Sequence, residues 1–401
     1  MKFTPYGRQA IDEDDISSVV AALRSDYLTC GPEVEAFENE FAQFVGAKYA
    51  VAVSNATDAL HLAMRVAKIS EGDRVVTSPN TFLSSANCAA FVGATPDFCD
   101  INPDTLNLDA KALAENWKDD TKAVIAVAYA GQAAEMPAIA GVARSHGAIV
   151  IEDACHGTGG GFSYEGKDWK LGGHPWADMT TFSFHPVKTM TTGEGGILVT
   201  DHLEYAQQAR LLRSHGMVRT SEDFIGFGTD REAYVEQGPW IYEMQELGYN
   251  FRITDLQCAL GRSQLKKLPK FIERRLQIVA RYNEAFADLA WLQVPKLGSW
   301  LLDQNESGKS LSWHLYTVQI EFSKLQKTRT EVMTELREKG VGSQVLYIPV
   351  HLQPYYRKTY GYEYGKCPIA EDCYERVLSL PLFPSMTEEE ISKVIEAVRN
   401  L

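Results

Sequence analysis

Between Val34 and Val199 the sequence repeats one pairing, an apolar run of strand length followed by a stretch with helical spacing. "YAVAVS" (Tyr49–Ser54) leads into "DALHLAMRVAK" (Asp58–Lys68), where Leu60, Ala63, Met64 and Ala67 share one helical face. "DRVVTS", "TPDFCDI", "KAVIAVAYA" and "AIVIEDA" are further runs, with a helix expected near Met136–His146 before the last. They are apolar almost throughout, as strands buried on both faces must be. The pattern predicts an α/β fold whose mainly parallel sheet is covered by helices on both sides. It also predicts that a ligand sits beyond the carboxyl ends of the strands.

The register weakens from Met217 to Gln245, an expected excursion. "DLQCALGRSQLKKLPKFIERRLQIVARYNEAFADL" then reads as one long helix with a break expected at Pro269. The rest, from Trp291, alternates short strands and helices. We therefore expect a large domain with an N-terminal arm over 1–260, and a linker helix with a smaller α+β domain over 261–401. Acidic residues outnumber basic ones, 53 to 39, for a net charge of −14, which argues against nucleic acid or an anionic membrane as partner. The seven cysteines are scattered without a C-x-x-C pair, so neither a disulfide framework nor a zinc site is expected. "MKFTPYGRQAIDEDD" lacks the apolar core of a signal peptide, and the expected location is cytoplasmic.

Four stretches carry chemistry. In "SNATDALH", Asn55, Ala56 and Thr57 form the turn into a helix whose free N–H groups suit a phosphate. An ordinary cap by Thr57 or Asp58 explains the same residues. "SPNTF" sets Phe82 after another strand, and "IVIEDACHG" puts Asp153 at a strand end with His156 three residues on. That spacing alone is a weak metal signal, and no metal is expected. "TFSFHPVKTMTTGEGG" places Lys188 after a further strand, among small and hydroxyl residues. A lysine there is either a solvated charge or, if desolvated, a nucleophile able to condense with a carbonyl. Phosphate turn, aromatic, acid and lysine are together what a phosphorylated pyridine aldehyde needs in one pocket. "ESGKS" (Glu306–Ser310) resembles the end of a phosphate loop, but Asp303 stands where its first glycine belongs.

"EDACHG", "SFHPVKTMTTGEGG", "RSHGM" and "ELGYNFRITDLQCALGRSQLKKL", in that order, resemble the DegT-type nucleotide-sugar aminotransferases, and the resemblance runs over nearly the whole chain. It implies fold type I, the aspartate-aminotransferase fold, and pyridoxal 5'-phosphate (PLP) as cofactor. Lys188 would hold PLP covalently and move the proton in catalysis, and Asp153 would pair with the ring nitrogen. His156 would stand beside the ring, where the family more often has glutamine, and Phe82 would cover one face. Ala56, Thr57 and Ser183 would bind the phosphate, with Asn250 reaching it from a second copy in a homodimer. Tyr6, Asp26, Tyr27, Leu28, Thr29, Trp313, His314, Leu315 and Tyr316 would line the sugar-nucleotide pocket.

Within the family, "LTCGP", "YEMQELGYNFRITDLQ" and "SWHLY" look most like members that aminate C4 of a UDP-4-keto-6-deoxy-hexose with L-glutamate for pseudaminic acid synthesis. A different nucleotide carrier or ketone position is the alternative, and a PLP-holding regulatory protein is another. A lysine at 188, where some relatives have histidine and become dehydratases, favours amino transfer. His185 is set aside as ordering its loop and Glu194 as a turn-stabilising carboxylate ahead of a catalytic one, while His215 in "RSHGM" is read as near the cofactor or substrate but set aside for direct chemistry. Arg213 and Arg219 are candidates to meet nucleotide phosphates.

Overall fold

The computed structural model describes residues 3–226, 238–302 and 311–401, so Asp303 and the "ESGKS" stretch lie outside the described residues. The apolar runs become strands β1 (Tyr49–Val53), β2 (Arg74–Thr77), β3 (Thr95–Phe98), β4 (Thr121–Val127) and β5 (Ile149–Asp153). A short hairpin, β6 (Gly161–Tyr164) and β7 (Lys167–Lys170), precedes β8 (Met179–Ser183) and β9 (Gly196–Thr200). Seven of these form one sheet in the order β1-β9-β8-β5-β4-β2-β3. The pairs β2–β3, β2–β4, β4–β5 and β5–β8 are parallel, while β9 runs antiparallel between β8 and β1. β9 follows β8 through residues 184–195 with no helix between them, and that return carries Lys188.

Helices α1 (Glu13–Leu23), α2 (Pro32–Val45), α3 (Ala56–Val66), α4 (Ser84–Phe91), α5 (Ala110–Glu115), α6 (Met136–Ser145) and α7 (Leu203–Arg213) follow. Two apolar clusters cover the two faces of the sheet. One holds Phe37, Phe41, Phe182 and Phe184, and the other holds Leu60, Leu62, Met64 and Leu198. Successive residues of one strand go to opposite clusters, as Ile197 and Val199 of β9 in the first and Leu198 between them in the second illustrate.

The long helix α8 runs from Asp255 to Phe286 without the break expected at Pro269. Proline there removes one backbone donor, a local loss that packing on α1 and α2 overrides. Its start is fixed by a capping box, with the Thr254 hydroxyl accepting from Gln257 N–H and the Gln257 side chain accepting from Thr254 N–H. The division expected between 260 and 261 lies inside this helix. Strands β10 (Met217–Val218) and β11 (Glu243–Met244) pair as a separate ribbon, and the far end of α8 packs on a smaller antiparallel sheet of β12 (Leu292–Gln293), β13 (Tyr316–Ile320) and β14 (Val377–Leu380). There Tyr282 donates to the Pro381 carbonyl at 3.0 Å.

Two segments return from this smaller unit to the large sheet. The N-terminal arm is sewn to it by Thr4 N–H on Gly340 O (2.9 Å), Gly342 N–H on Thr4 O (2.8 Å) and Leu382 N–H on Tyr6 O (3.0 Å). Residues 344–347 leave a backbone pair with Ser379, and Tyr129 of the large unit donates to Leu346 O. Thus Tyr6 and Tyr347 are delivered to the carboxyl ends of the large sheet's strands by backbone hydrogen bonds made elsewhere.

Candidate active site

A cleft of about 1060 Å³, part of it open to solvent, lies at those strand ends. Tyr6, Ala56, Thr57, Phe82, Asp153, His156, Ser183 and Lys188 all line it, although up to 182 positions separate them in sequence. Parallel strands explain the gathering, because β4, β5 and β8 point their carboxyl ends the same way and the residues that end them become neighbours.

Asp153, the last residue of β5, is 5 % exposed. Its carboxylate accepts from the Ser85 hydroxyl at 2.6 Å and from Cys155 N–H at 3.2 Å. Lys188 follows β8 in a turn closed by its N–H on His185 O at 2.8 Å. Burial pulls its ammonium below the ordinary lysine value, while Cys155 and Asp153 partly oppose the shift. The Cys155 thiol is itself pushed well up by burial and by Asp153. It is an inert wall, not a second nucleophile.

Helix α3 opens one side of the cleft. It starts at Ala56, two residues earlier than Asp58, because Asn55 is the cap and its side chain accepts from Asp58 N–H at 2.9 Å. The N–H groups of Ala56 and Thr57 have no acceptor within the helix. The Thr57 and Ser84 hydroxyls lie 2.7 Å apart beside them, and Ser183 is nearby in the lining. Gly196 makes the approach possible, since a Cβ there would stand 2.4 Å from the Asn55 carbonyl carbon and 2.5 Å from Ala56 N.

Other sequence expectations do not meet at this cleft. Tyr316 begins β13 and is fully buried, donating to Asn283 at 2.8 Å and packing on Tyr282. Trp313 and Leu315 are core residues as well. His314 sits behind the wall, its ring 4.6 Å from that of His156. The backbone of 313–314 is held by the buried Arg275, whose guanidinium donates to the carbonyls of Trp313, His314 and Leu382. Asp26, Tyr27, Leu28 and Thr29 are exposed and line no part of the cleft. Asn250 is likewise exposed, paired through its backbone with Ser214.

Arg213 is committed to Glu38 and to the Ala52 carbonyl, so it is not available to a phosphate. Arg219 lies over the Tyr242 ring. Of the residues set aside, His215 does not line the cleft, whereas His185 and Glu194 do. Sequence reasoning missed Ser84, Ser85, Cys155, Leu346 and Tyr347. The "SS" pair after Phe82 was the one local signal available, two hydroxyls beside an aromatic at a strand end.

The profile of the DegT/DnrJ/EryC1/StrS aminotransferase family matches residues 9–399. The chain belongs to that family. It is similar to the spore coat polysaccharide biosynthesis protein SpsC of Bacillus subtilis, 41 % identical over 400 residues covering all of this chain and 97 % of that protein. It is similar in structure to Helicobacter pylori PseC, an aminotransferase involved in the biosynthesis of pseudoaminic acid, with a TM-score of 0.86 and 28 % identity over 100 % of this chain and 99 % of that one. The PLP form of Spr1654 from Streptococcus pneumoniae matches with a TM-score of 0.85, 27 % identical, with both chains covered in full.

The protein is thus a PLP-dependent sugar aminotransferase of fold type I. The cleft of this aminotransferase fits the cofactor on its own evidence. It offers a buried carboxylate for a ring nitrogen, open helix N–H groups and paired hydroxyls for a phosphate, and a desolvated lysine for an aldehyde. All seven cysteines are free, and among the described residues no His/Cys/Asp/Glu cluster could hold a metal ion. No described helix is long and apolar enough to cross a membrane.

Proposed function

We propose that this aminotransferase moves the amino group of L-glutamate to C4 of a UDP-2-acetamido-2,6-dideoxy-4-keto-hexose, giving a UDP-4-amino sugar and 2-oxoglutarate. The observation that carries the reading is the full-length likeness to PseC, joined to a cleft that Lys188 and Asp153 both line. When bound, PLP supplies an electron sink for the carbon bearing the amine. The chain's own residues do the rest. Asp153, oriented by Ser85 and Cys155 N–H, would pair with the ring nitrogen and favour its protonated form. Burial weakens the hold of Lys188 on its proton, so its Nζ would be the base that takes a proton from one carbon and returns it to the other. Of the residues lining the cleft, Ala56, Thr57 and Ser183 would hold the phosphate, Phe82 would cover the ring, and Tyr6 with Tyr347 would border the substrate.

Asn250 is proposed to serve the phosphate of a second copy, which its exposure permits. The higher identity to SpsC supports one neighbouring reading, a different nucleotide-linked keto sugar destined for a surface polysaccharide. Glutamate and PLP-loaded protein should be incubated in parallel with UDP- and dTDP-linked 4-keto-6-deoxy sugars and the products weighed by mass spectrometry. A UDP-4-amino product alone upholds the proposal. Amination of the dTDP sugar with the UDP sugar untouched moves the assignment to the neighbouring reading.

A further inference from the structure

His156 is held in one protonation state by its surroundings. The backbone N–H of Ala130, in a left-handed turn (φ 57°), donates to His156 Nδ1 at 3.3 Å, and this is that amide's only acceptor among the described residues. Nδ1 therefore presents a lone pair, and in a neutral imidazole the proton must lie on Nε2. Nε2 stands 3.0 Å from the Tyr347 hydroxyl oxygen. That oxygen accepts, and its own hydrogen is left to point elsewhere.

A second proton on His156 would set two donors face to face at Ala130, in a site 4 % exposed. The groups around the ring reinforce this. Lys188 faces it as a cation, the His314 ring packs on it at 4.6 Å, and the Tyr129 and Tyr347 rings flank it at 6.0 and 5.9 Å. Burial first and Lys188 second hold the His156 imidazole well below its ordinary value. Burial, then the neighbouring Tyr129, Asp153, Tyr6 and Cys155, keeps the Tyr347 phenol protonated. Tyr347 has no other hydrogen-bond partner among the described residues, lines the cleft, and lies 6.1 Å ring to ring from Phe82 at its exposed mouth.

We propose that Tyr347 is a substrate-binding donor and His156 its positioning residue: the imidazole, fixed as the Nε2–H tautomer, turns the Tyr347 O–H toward an acceptor oxygen of the substrate bound against Lys188. The oxygen is a carbonyl, hydroxyl or carboxylate oxygen, because the phenol oxygen already accepts from His156 Nε2–H and its O–H is what remains to be donated.

The test has two arms. The first is nitrogen NMR of the cofactor-free protein with ¹⁵N-labelled histidine, the His156 signals being assigned by their loss in His156→Phe. The expected result is one bare and one protonated nitrogen across pH 5.5 to 8.5. Protonation with a midpoint near the ordinary value of about 6.5, or a proton on Nδ1, would overturn the proposal. The second arm rests on glutamate being the amino donor and follows the absorbance change of PLP-loaded protein on adding L-glutamate. Tyr347→Phe should lower the second-order rate about tenfold, mainly through weaker glutamate binding, with PLP affinity unchanged. His156→Phe should cost a similar factor, and the double variant no more than either single one. Additive losses, unchanged rates, or a loss of PLP affinity in Tyr347→Phe would sink the assignment. If wild-type protein gives no response to glutamate, the donor reading fails, and the tautomer measurement still decides the orientation of Tyr347.

Discussion

An amine that must take and return a proton near neutrality cannot keep an ordinary lysine's hold on it. Lys188 meets this requirement by losing water, and the same change governs how the apoprotein captures PLP. Only the neutral amine attacks an aldehyde, so the capture rate should rise with pH and level off once the amine is free. Because burial lowers the folded value, the midpoint should fall below the ordinary lysine value of 10.5. Stopped-flow absorbance of added PLP across a pH series checks this, and a midpoint at or above that value would remove the desolvation argument. Lys188→Ala should fold and still bind the phosphate end of the cofactor, but lose turnover by about 10³-fold or more, the weight of a general acid–base group. Borohydride followed by peptide mapping should mark Lys188 in the wild-type protein and leave the variant unmarked.

At the scale of elements, the meeting of β9 with the start of α3 builds the phosphate side of the cleft. Gly196→Ala would drive a methyl group into the Asn55–Ala56 peptide, both of whose near atoms are backbone and cannot swing aside. Equilibrium binding of PLP should weaken by at least about tenfold while the far-UV spectrum stays native, since the clash is local. A second junction ties the smaller unit to the sheet edge. Asp97 of β3 pairs with Arg74 at 3.0 Å, Lys118 at 2.7 Å and Lys366 at 2.7 Å. Although burial raises its carboxyl, these partners win and hold it down to about 2 from 3.8. The native state therefore gains stability above the unfolded value that is lost as pH falls toward the folded one. Asp97→Asn should cost about 2 kcal/mol at neutral pH and lose less than wild type does on acidification to about pH 3, as read by urea unfolding at both.

Elements also decide what the sequence could tell. The strands were legible because a parallel strand buried on both faces must be apolar throughout, and Asp153 and Lys188 because they stand where such runs end. Tyr347 and Ser85 left no such mark. Tyr347 reaches the cleft through a backbone pair between Gln344 and Ser379, which no local pattern records. "WHLY" misled for the converse reason. Polar and aromatic residues beside one another look like a binding surface, but Tyr316 opens an interior strand and its hydroxyl is satisfied by Asn283.

At the scale of the whole molecule, the cleft of one chain leaves Asn250 outside, and several large apolar side chains stay uncovered near the same excursion. Trp240, Met244 and Leu247 are 71, 63 and 74 % exposed. A second copy related by a two-fold axis is the simplest cover, because each chain would then give to its partner's cleft what it receives. Consider Lys188→Ala mixed with a variant disabled at Asn250, such as Asn250→Asp, whose carboxylate would repel a phosphate. Each alone should be inactive or nearly so. After unfolding and refolding together, about half the dimers would be mixed, and in each one cleft would join an intact Lys188 to the partner's intact Asn250. Activity should return to roughly one quarter of the wild-type level, the fraction that two-fold pairing allows. Recovery no greater than the sum of the separate variants would mean that each cleft is built from a single chain. Asn250 would then have no part in the phosphate site.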